Sequence, residues 1–300
     1  MELYEESESI INFNAIEGGL TVEDTLYSYN VSGRLFGKLN REKGILLNGE
    51  IAKKRVKVNK GDILTIVMED ESDNIAPQDI PLDIIYEDND LLVLNKQPNV
   101  VVHPTKSHLD GTIANGVSKY FRQKGIKKKI RFANRLDMDT SGILIVAKNQ
   151  FAHQQLGIEF ENNSVEKKYL AVVEGIVKED ENVIDLPVGR EEEKSVKKTV
   201  TLEGKNAITK YKVLERYENA SLLEVQIFTG RSHQIRVHLN YIGHPIIGDT
   251  LYNEPSNYIN RQALHSYYLK TKHPRTNSYI EFNAPLPKDI EDLICKIKRP

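Results

Sequence analysis

Asn134-Arg135-Leu136-Asp137-Met138-Asp139-Thr140-Ser141-Gly142-Ile143-Leu144-Ile145-Val146-Ala147-Lys148 joins an Arg-Leu-Asp triplet, a turn, and a run with the apolar density of a buried strand. Thr140-Ser141-Gly142 supplies ordinary turn chemistry. Residues 143 to 147 carry no polar side chain, the pattern of a strand covered on both faces. A carboxylate and a guanidinium are thereby fixed beside a rigid core element. With no thiol pair, metal cage or phosphate loop competing, Asp137 is the leading candidate for a reactive group.

Outward from this stretch, helix and strand periodicities mix without a regular βα rhythm. Leu91 to Lys96 reads as a short strand ended by Pro98, Thr112 to Tyr120 has helical spacing, and a helix follows over 149 to 162 with Phe151, Leu156 and Phe160 on one side. Strands are expected at Tyr169 to Glu174, Thr209 to Leu214 and Leu222 to Phe228. Ser232 is placed to cap a helix whose apolar stripe is Ile235, Leu239 and Ile242. Strands outnumber helices, so the expected class is α+β, with a mixed, mainly antiparallel sheet.

A chain of 300 residues exceeds the usual single-domain size. Residues 13 to 68 read as a small αβ unit. Thr21 opens a short helix, Ser32 to Leu39 is a second, and Gly44 to Glu50 is a strand entering an Asn-Gly hairpin, with further strands around Val56 to Val58 and Ile63 to Val67. Residues 69 to 83 are acidic with two prolines, the composition of a linker. Residues 84 to 300 form the larger unit.

Charge is segregated. The totals nearly cancel, 41 Lys plus Arg against 43 Asp plus Glu. Locally they do not: Arg34 to Lys60 holds nine basic and two acidic residues, Arg122 to Arg135 seven basic and none acidic, and Glu69 to Asp90 nine acidic and no Lys or Arg. Two basic surfaces about an acidic connector suit a polyanion, although a charge run alone is as often a solvated face. The single cysteine, Cys295, excludes an internal disulfide, agrees with a reducing compartment, and reads as a small core residue. Glu2, Glu5, Glu6 and Glu8 stand where a signal peptide needs positive charge, and no apolar run has membrane-spanning length. A cytoplasmic protein without a membrane partner is expected.

Several ordered blocks carry a specific resemblance. Asp88 to Lys96, Arg135 to Gly142, Lys168-Tyr169-Leu170-Ala171, Thr229-Gly230-Arg231-Ser232-His233-Gln234-Ile235-Arg236-Val237-His238, Gly243 to Asp249, Leu264-His265-Ser266 and Ala284-Pro285-Leu286-Pro287 together resemble the RNA pseudouridine synthases of the RluA/RluD family, over residues 84 to 287. So many blocks in order carry more weight than one short motif. Residues 13 to 68 resemble the ribosomal-protein S-four type RNA-binding module, through Lys43-Gly44, Leu47-Asn48-Gly49 and Gly61-Asp62. The first helix departs from that pattern in lacking an Arg-Leu-Asp start.

The resemblance implies a redox-neutral isomerisation that needs no cofactor or metal: uracil leaves C1′ of its ribose, turns, and rejoins through C5. Asp137 would be the essential nucleophile or base, acting on the ribose or on the ring. Arg236 would hold it ionised through a charge-assisted pair. Tyr169 would stack on the target base, and Arg135 would fill the gap left when the uridine is extruded. Asn134 stands where the family commonly carries His, a change in a supporting residue that keeps hydrogen-bonding capacity. Phosphate contacts are expected from Arg122, Lys124, Lys127, Lys128, Lys129 and Arg131 beside the cleft, and from Arg34, Lys38, Arg41 and Lys43 on the first unit. The expected partner is structured RNA rather than DNA, ribosomal before transfer RNA, and the expected state is a monomer.

Rival readings fit less well. An aspartic-protease turn would place Gly directly after Thr or Ser and would occur twice. His233, His238 and His244 cluster, but the i, i+5 step of the first two turns them apart on a helix, so a hydrogen-bonding scaffold is expected instead of a metal site. A glycosidase needs a second carboxylate across the anomeric bond, and the available acids, Asp139 and Asp249, have no such place in the family pattern. A silent RNA clamp is the strongest non-enzymatic alternative, opposed by the presence together of Asp137, Tyr169 and Arg236.

Overall fold

The computed structural model describes residues 4–71, 74–105, 108–192 and 195–298. The N-terminal part consists of β1 (Ile10–Asn14), α1 (Val22–Ser28), α2 (Gly33–Glu42), β2 (Ile45–Leu47), β3 (Glu50–Ile51) and β4 (Ile63–Val67). Local chemistry fixes each boundary. Thr21 accepts from the Asp24 amide and Ser32 from the Leu35 amide, capping the two helices, and Lys43 ends α2 in the left-handed region. Asn48 and Gly49 both have positive φ, as a two-residue hairpin between β2 and β3 demands. The sheet order is β1-β4-β2-β3, all antiparallel, and it begins before residue 13. Ile11 and Phe13 face a core with Leu26, Leu39, Leu64 and Ile66.

The larger part runs β5 (Ile84–Glu87), β6 (Leu91–Lys96), α3 (Ile113–Gln123), β7 (Arg131–Phe132), β8 (Ser141–Ala147), α4 (Gln150–Glu161), β9 (Glu166–Glu174), β10 (Glu181–Asp185), β11 (Val188–Arg190), β12 (Lys198–Val200), β13 (Ile208–Arg216), β14 (Ala220–Ile227), α5 (Gln234–Tyr241), β15 (Leu264–Lys272), β16 (Tyr279–Asn283) and α6 (Lys288–Ile297). One sheet in the order β10-β13-β14-β9-β15-β8-β6-β5 spans it, with β16 on β15 and β7 on β8. Every pairing in it is antiparallel except β15 with β8. The expected α+β class with a mixed, mainly antiparallel sheet is the one observed.

β8 is buried along its whole length because it separates two cores. Ile143, Ile145 and Ala147 face one with Leu91, Val93 and Leu156. Leu144 and Val146 face the other with Leu92, Leu94, Ile113 and Phe121. Period-2 alternation is present in space but invisible in the sequence, since both faces are apolar. At the start of β8 Gly142 has φ +113, and a Cβ there would stand 2.1 Å from the Ser266 carbonyl oxygen on β15. Only glycine permits the parallel β8–β15 contact at that point.

The segment expected as a linker is a strap where it is described. Ile75, Ile80 and Leu82 pack on the α3 side of the second core, and Asn115 and Ser118 donate to the carbonyls of Ala76 and Ile75. Glu71 gathers Lys38 at 3.4 Å, Gln150 at 2.7 Å and Arg131 at 2.7 Å, tying α2 to α4 and β7. Two further expectations are corrected. Cys295 is exposed rather than in the core, because it falls on the outer side of α6, whose buried residues are Ile290 and Leu293. α5 is capped not by Ser232 but at His233, in the left-handed region and without a side-chain cap bond. Gln234 takes over the entry, accepting from the Arg231 amide at 3.0 Å and the Thr229 hydroxyl at 2.8 Å.

Candidate active site

Asp137 lies in the loop between β7 and β8, held on three sides. Asn134 donates to the Ile143 carbonyl at 3.0 Å and accepts from the Ile145 amide at 2.8 Å. Its amide thus pairs with β8 as a strand neighbour would, which explains why Asn serves at this position. Leu136 is anchored in the core beside Tyr169 and Ile235. Beneath the turn the buried Lys96 ammonium donates to the carbonyls of Gln97, Met138 and Thr140 at 2.8, 2.7 and 3.0 Å. Burial draws the Lys96 pKa down to about 7, against the opposing pull of Asp139.

Arg236 reaches the same place from α5. Its Nε and Nη2 form a two-pronged pair with Asp249, both at 2.7 Å, leaving Nη1 to meet Asp137 Oδ2 at 3.1 Å. The guanidinium carbon stands 5.0 Å from the Tyr252 ring centroid. Burial alone would lower the Arg236 pKa, but Asp249 and then Asp137 hold it above the ordinary arginine value. The division of contacts matters. Asp249, fully buried, immobilises the guanidinium, while Asp137 receives a single prong and its Oδ1 has no hydrogen-bond donor among the described residues. A carboxylate with a free edge toward a cavity can attack carbon or take a proton. Gly248, beside Asp249, has φ +77, and a Cβ there would stand 2.3 Å from the Arg261 carbonyl oxygen. The turn carrying Asp249 is therefore closed to a side chain.

Tyr169, on β9, completes the wall. It is buried, and burial, reinforced by the Asp137 charge, pushes its pKa up to about 12, so the phenol stays neutral at ordinary pH. Asp137, Tyr169 and Arg236 line one cavity of about 350 Å³ with Ile227, Leu264 and Arg135, within the range of small-ligand sites. A second cavity shares Arg135, Asp137 and Arg236 with it and is further lined by His103, Phe132 and Met138. Arg135, exposed, borders both.

The three expected histidines do act as scaffold, each in a different place. His233 meets the Tyr252 hydroxyl at 2.9 Å, His238 the Thr209 hydroxyl and Leu186 carbonyl, and His244 the Glu174 carbonyl. His233 Nε2 also stands 3.9 Å from Asp137 Oδ2. Its burial lowers its pKa although Asp137 pulls the other way. Tyr252 carried no sequence signal for a place around the site, while Lys96 closes the matched Asp88 to Lys96 block. Asp249 likewise closes the matched Gly243 to Asp249 block.

The basic tracts divide. Arg122, Lys124, Lys127 and Lys129 are exposed, as are Arg34, Arg41 and Lys43. Lys128 is not: it is buried, its ammonium donating to the carbonyls of Met68 and Glu69 at 2.7 and 2.8 Å. Its expected phosphate contact is corrected to a tether between the two parts of the chain, because those carbonyls at the end of β4 need a donor. Arg131 and Lys38 are engaged by Glu71.

Comparison with known proteins gives the family. Residues 90–241 match the family model described as RNA pseudouridylate synthase. An uncharacterized RNA pseudouridine synthase of Bacillus subtilis, YlyB, is 44% identical over 260 residues, covering 85% of this chain and 86% of that protein. The ribosomal large subunit pseudouridine synthase D of Blochmanniella floridana is 38% identical over 280 residues, covering 86% and 87%. Among solved structures, human RNA pseudouridylate synthase domain containing 1 superposes with a TM-score of 0.58 at 28% identity, over 73% of this chain and 96% of that one.

Proposed function

The chain belongs to the RNA pseudouridylate synthase family and is an isomerase acting on RNA, and from that premise we propose that its substrate is large-subunit ribosomal RNA and its essential group Asp137. One observation carries the chemical half: a carboxylate held by a single prong of an anchored arginine, in one cavity with a neutral buried tyrosine. Asp137 opens the reaction. The C1′–N1 bond breaks, Tyr169 offers a flat face on which the uracil turns, and a C1′–C5 bond forms. C5 then gives up its proton and N1 gains one, so atoms and electrons balance without an outside oxidant.

Arg135, exposed at the cavity rim, takes the place of the extruded uridine in the RNA stack. Support for a ribosomal substrate comes from the relatives named for the large subunit. The N-terminal unit, with Arg34, Arg41 and Lys43 exposed, docks the RNA through phosphates in the manner of an S-four module. The test is a pseudouridine map of total RNA from cells with and without this chain, alongside tritium release from 5-labelled uridine in a large-subunit transcript. Loss of specific large-subunit sites, and abolished release with retained RNA binding in Asp137→Ala, are expected. Sites lost only from transfer RNA overturn the substrate, and release by Asp137→Ala overturns the chemistry.

A further inference from the structure

Among the described residues, Lys96, Lys128, Lys148 and Lys167 are the lysines less than a tenth exposed. Three of them are engaged by acceptors of the protein. Lys96 and Lys128 give their protons to backbone carbonyls, and Lys148 meets Glu87 at 3.1 Å and the Asp88 carbonyl at 2.7 Å. Lys167 differs. It has no hydrogen-bond acceptor and no ion pair among the described residues, only the Phe160 ring, 5.6 Å from its ammonium. Glu161 lines the same cavity but forms no pair with it. Burial pulls the Lys167 pKa down, with no neighbouring carboxylate opposing. Its stem is buried while its Nζ opens onto the cavity, where a ligand can supply the acceptors that the protein does not.

The cavity names the ligand class. Lys167 and Tyr169 are two apart on β9, both buried on the same side, and both line the cavity that holds Asp137 and Arg236. Along a strand that spacing is about 7 Å, so a base lying against Tyr169 leaves Lys167 within one nucleotide's reach, close enough for a backbone phosphate. A neutral uracil leaves the ammonium uncompensated, whereas a phosphate matches it in charge and in acceptors, and lysine serves it as a point charge. We propose that Lys167 is the binding residue for a backbone phosphate of the flipped nucleotide, an inference that rests on the reading of the chain as an RNA pseudouridine synthase.

The test compares wild type, Lys167→Met and Lys167→Arg for binding to an unmodified large-subunit ribosomal RNA transcript across a salt series. Each phosphate contact on single-stranded RNA contributes about 0.7 to the slope of log affinity against log salt. Lys167→Met is expected to lose about tenfold in affinity at low salt and about 0.7 in slope, with Lys167→Arg restoring both. Without RNA the Met variant should melt no lower than wild type, because it keeps the buried apolar stem and removes an ammonium that has no acceptor among the described residues. A purely structural lysine would show a lower melting temperature and an unchanged slope, and either result overturns the assignment. Because the slope is read from binding, a wild type that binds but releases no tritium sinks the substrate reading while leaving the Lys167 result readable.

Discussion

Asp249→Asn separates the anchoring of Arg236 from its contact with Asp137. In the native protein Asp249 engages Nε and Nη2, and only Nη1 reaches Asp137. Asparagine fills the same volume but presents one acceptor and, in place of the other, a donor that repels the guanidinium. Breaking one side of a buried pair costs about 3–5 kcal/mol. The lower end applies, since one acceptor is retained. At about 2–4 °C per kcal/mol in a domain of this size, the melting temperature should fall by about 6–12 °C. The freed Nη2 can turn to Asp137 and close a second prong there. One added charge-assisted hydrogen bond stabilises the resting carboxylate by about 1.5–3 kcal/mol. Asp137 must shed that bond to react, which lowers kcat by about 10- to 150-fold. Single-turnover tritium release, measured well below the melting temperature, reads kcat, and urea unfolding reads stability. A variant destabilised as expected but within twofold of wild-type kcat would refute the idea that Asp249 keeps an edge of Asp137 free.

Other perturbations test the scaffold. His265, buried against the Ser141 hydroxyl at 2.9 Å, has its pKa drawn down to about 4, first by burial. Between its ordinary value and about 4 only the unfolded chain takes the proton, so stability should fall with pH across that window by up to about 3 kcal/mol. His265→Gln should flatten this limb of a urea-unfolding pH series, and an unchanged limb would exclude His265 as its source. Lys96→Met removes the donor to three carbonyls under the Asp137 turn and should cost about 3 kcal/mol, with tritium release lost alongside. Full activity at reduced stability would show that the turn holds itself. Gly142→Ala, facing the Ser266 carbonyl with positive φ, should destabilise by at least about 2 kcal/mol. Gly157→Ala, inside α4 with open space around it, should stabilise by about 0.5–1 kcal/mol, and thermal melts of the two should move in opposite directions.

Much of the framework was legible in local chemistry. The Asn48-Gly49 hairpin, the Thr21 and Ser32 caps and the apolar run of β8 are short-range signals, set by φ preferences and by side chains reaching their own backbone, and they need no distant partner. The family blocks likewise brought Asp137, Tyr169 and Arg236 forward, and the structure brings the three around one cavity. What depended on folding were relations between residues far apart in the chain. Lys128 looked like its exposed neighbours Lys127 and Lys129 until the end of β4 placed two carbonyls over it. The acidic residues after β4 looked like a solvated tether until Lys38, Gln150 and Arg131 converged on Glu71. The sequence by itself determined which residues could do chemistry, because residue type and local turn are written there. Only the tertiary structure decided which charges are spent on one another and which stay open to a ligand, because burial and pairing arise from contacts that sequence order does not encode.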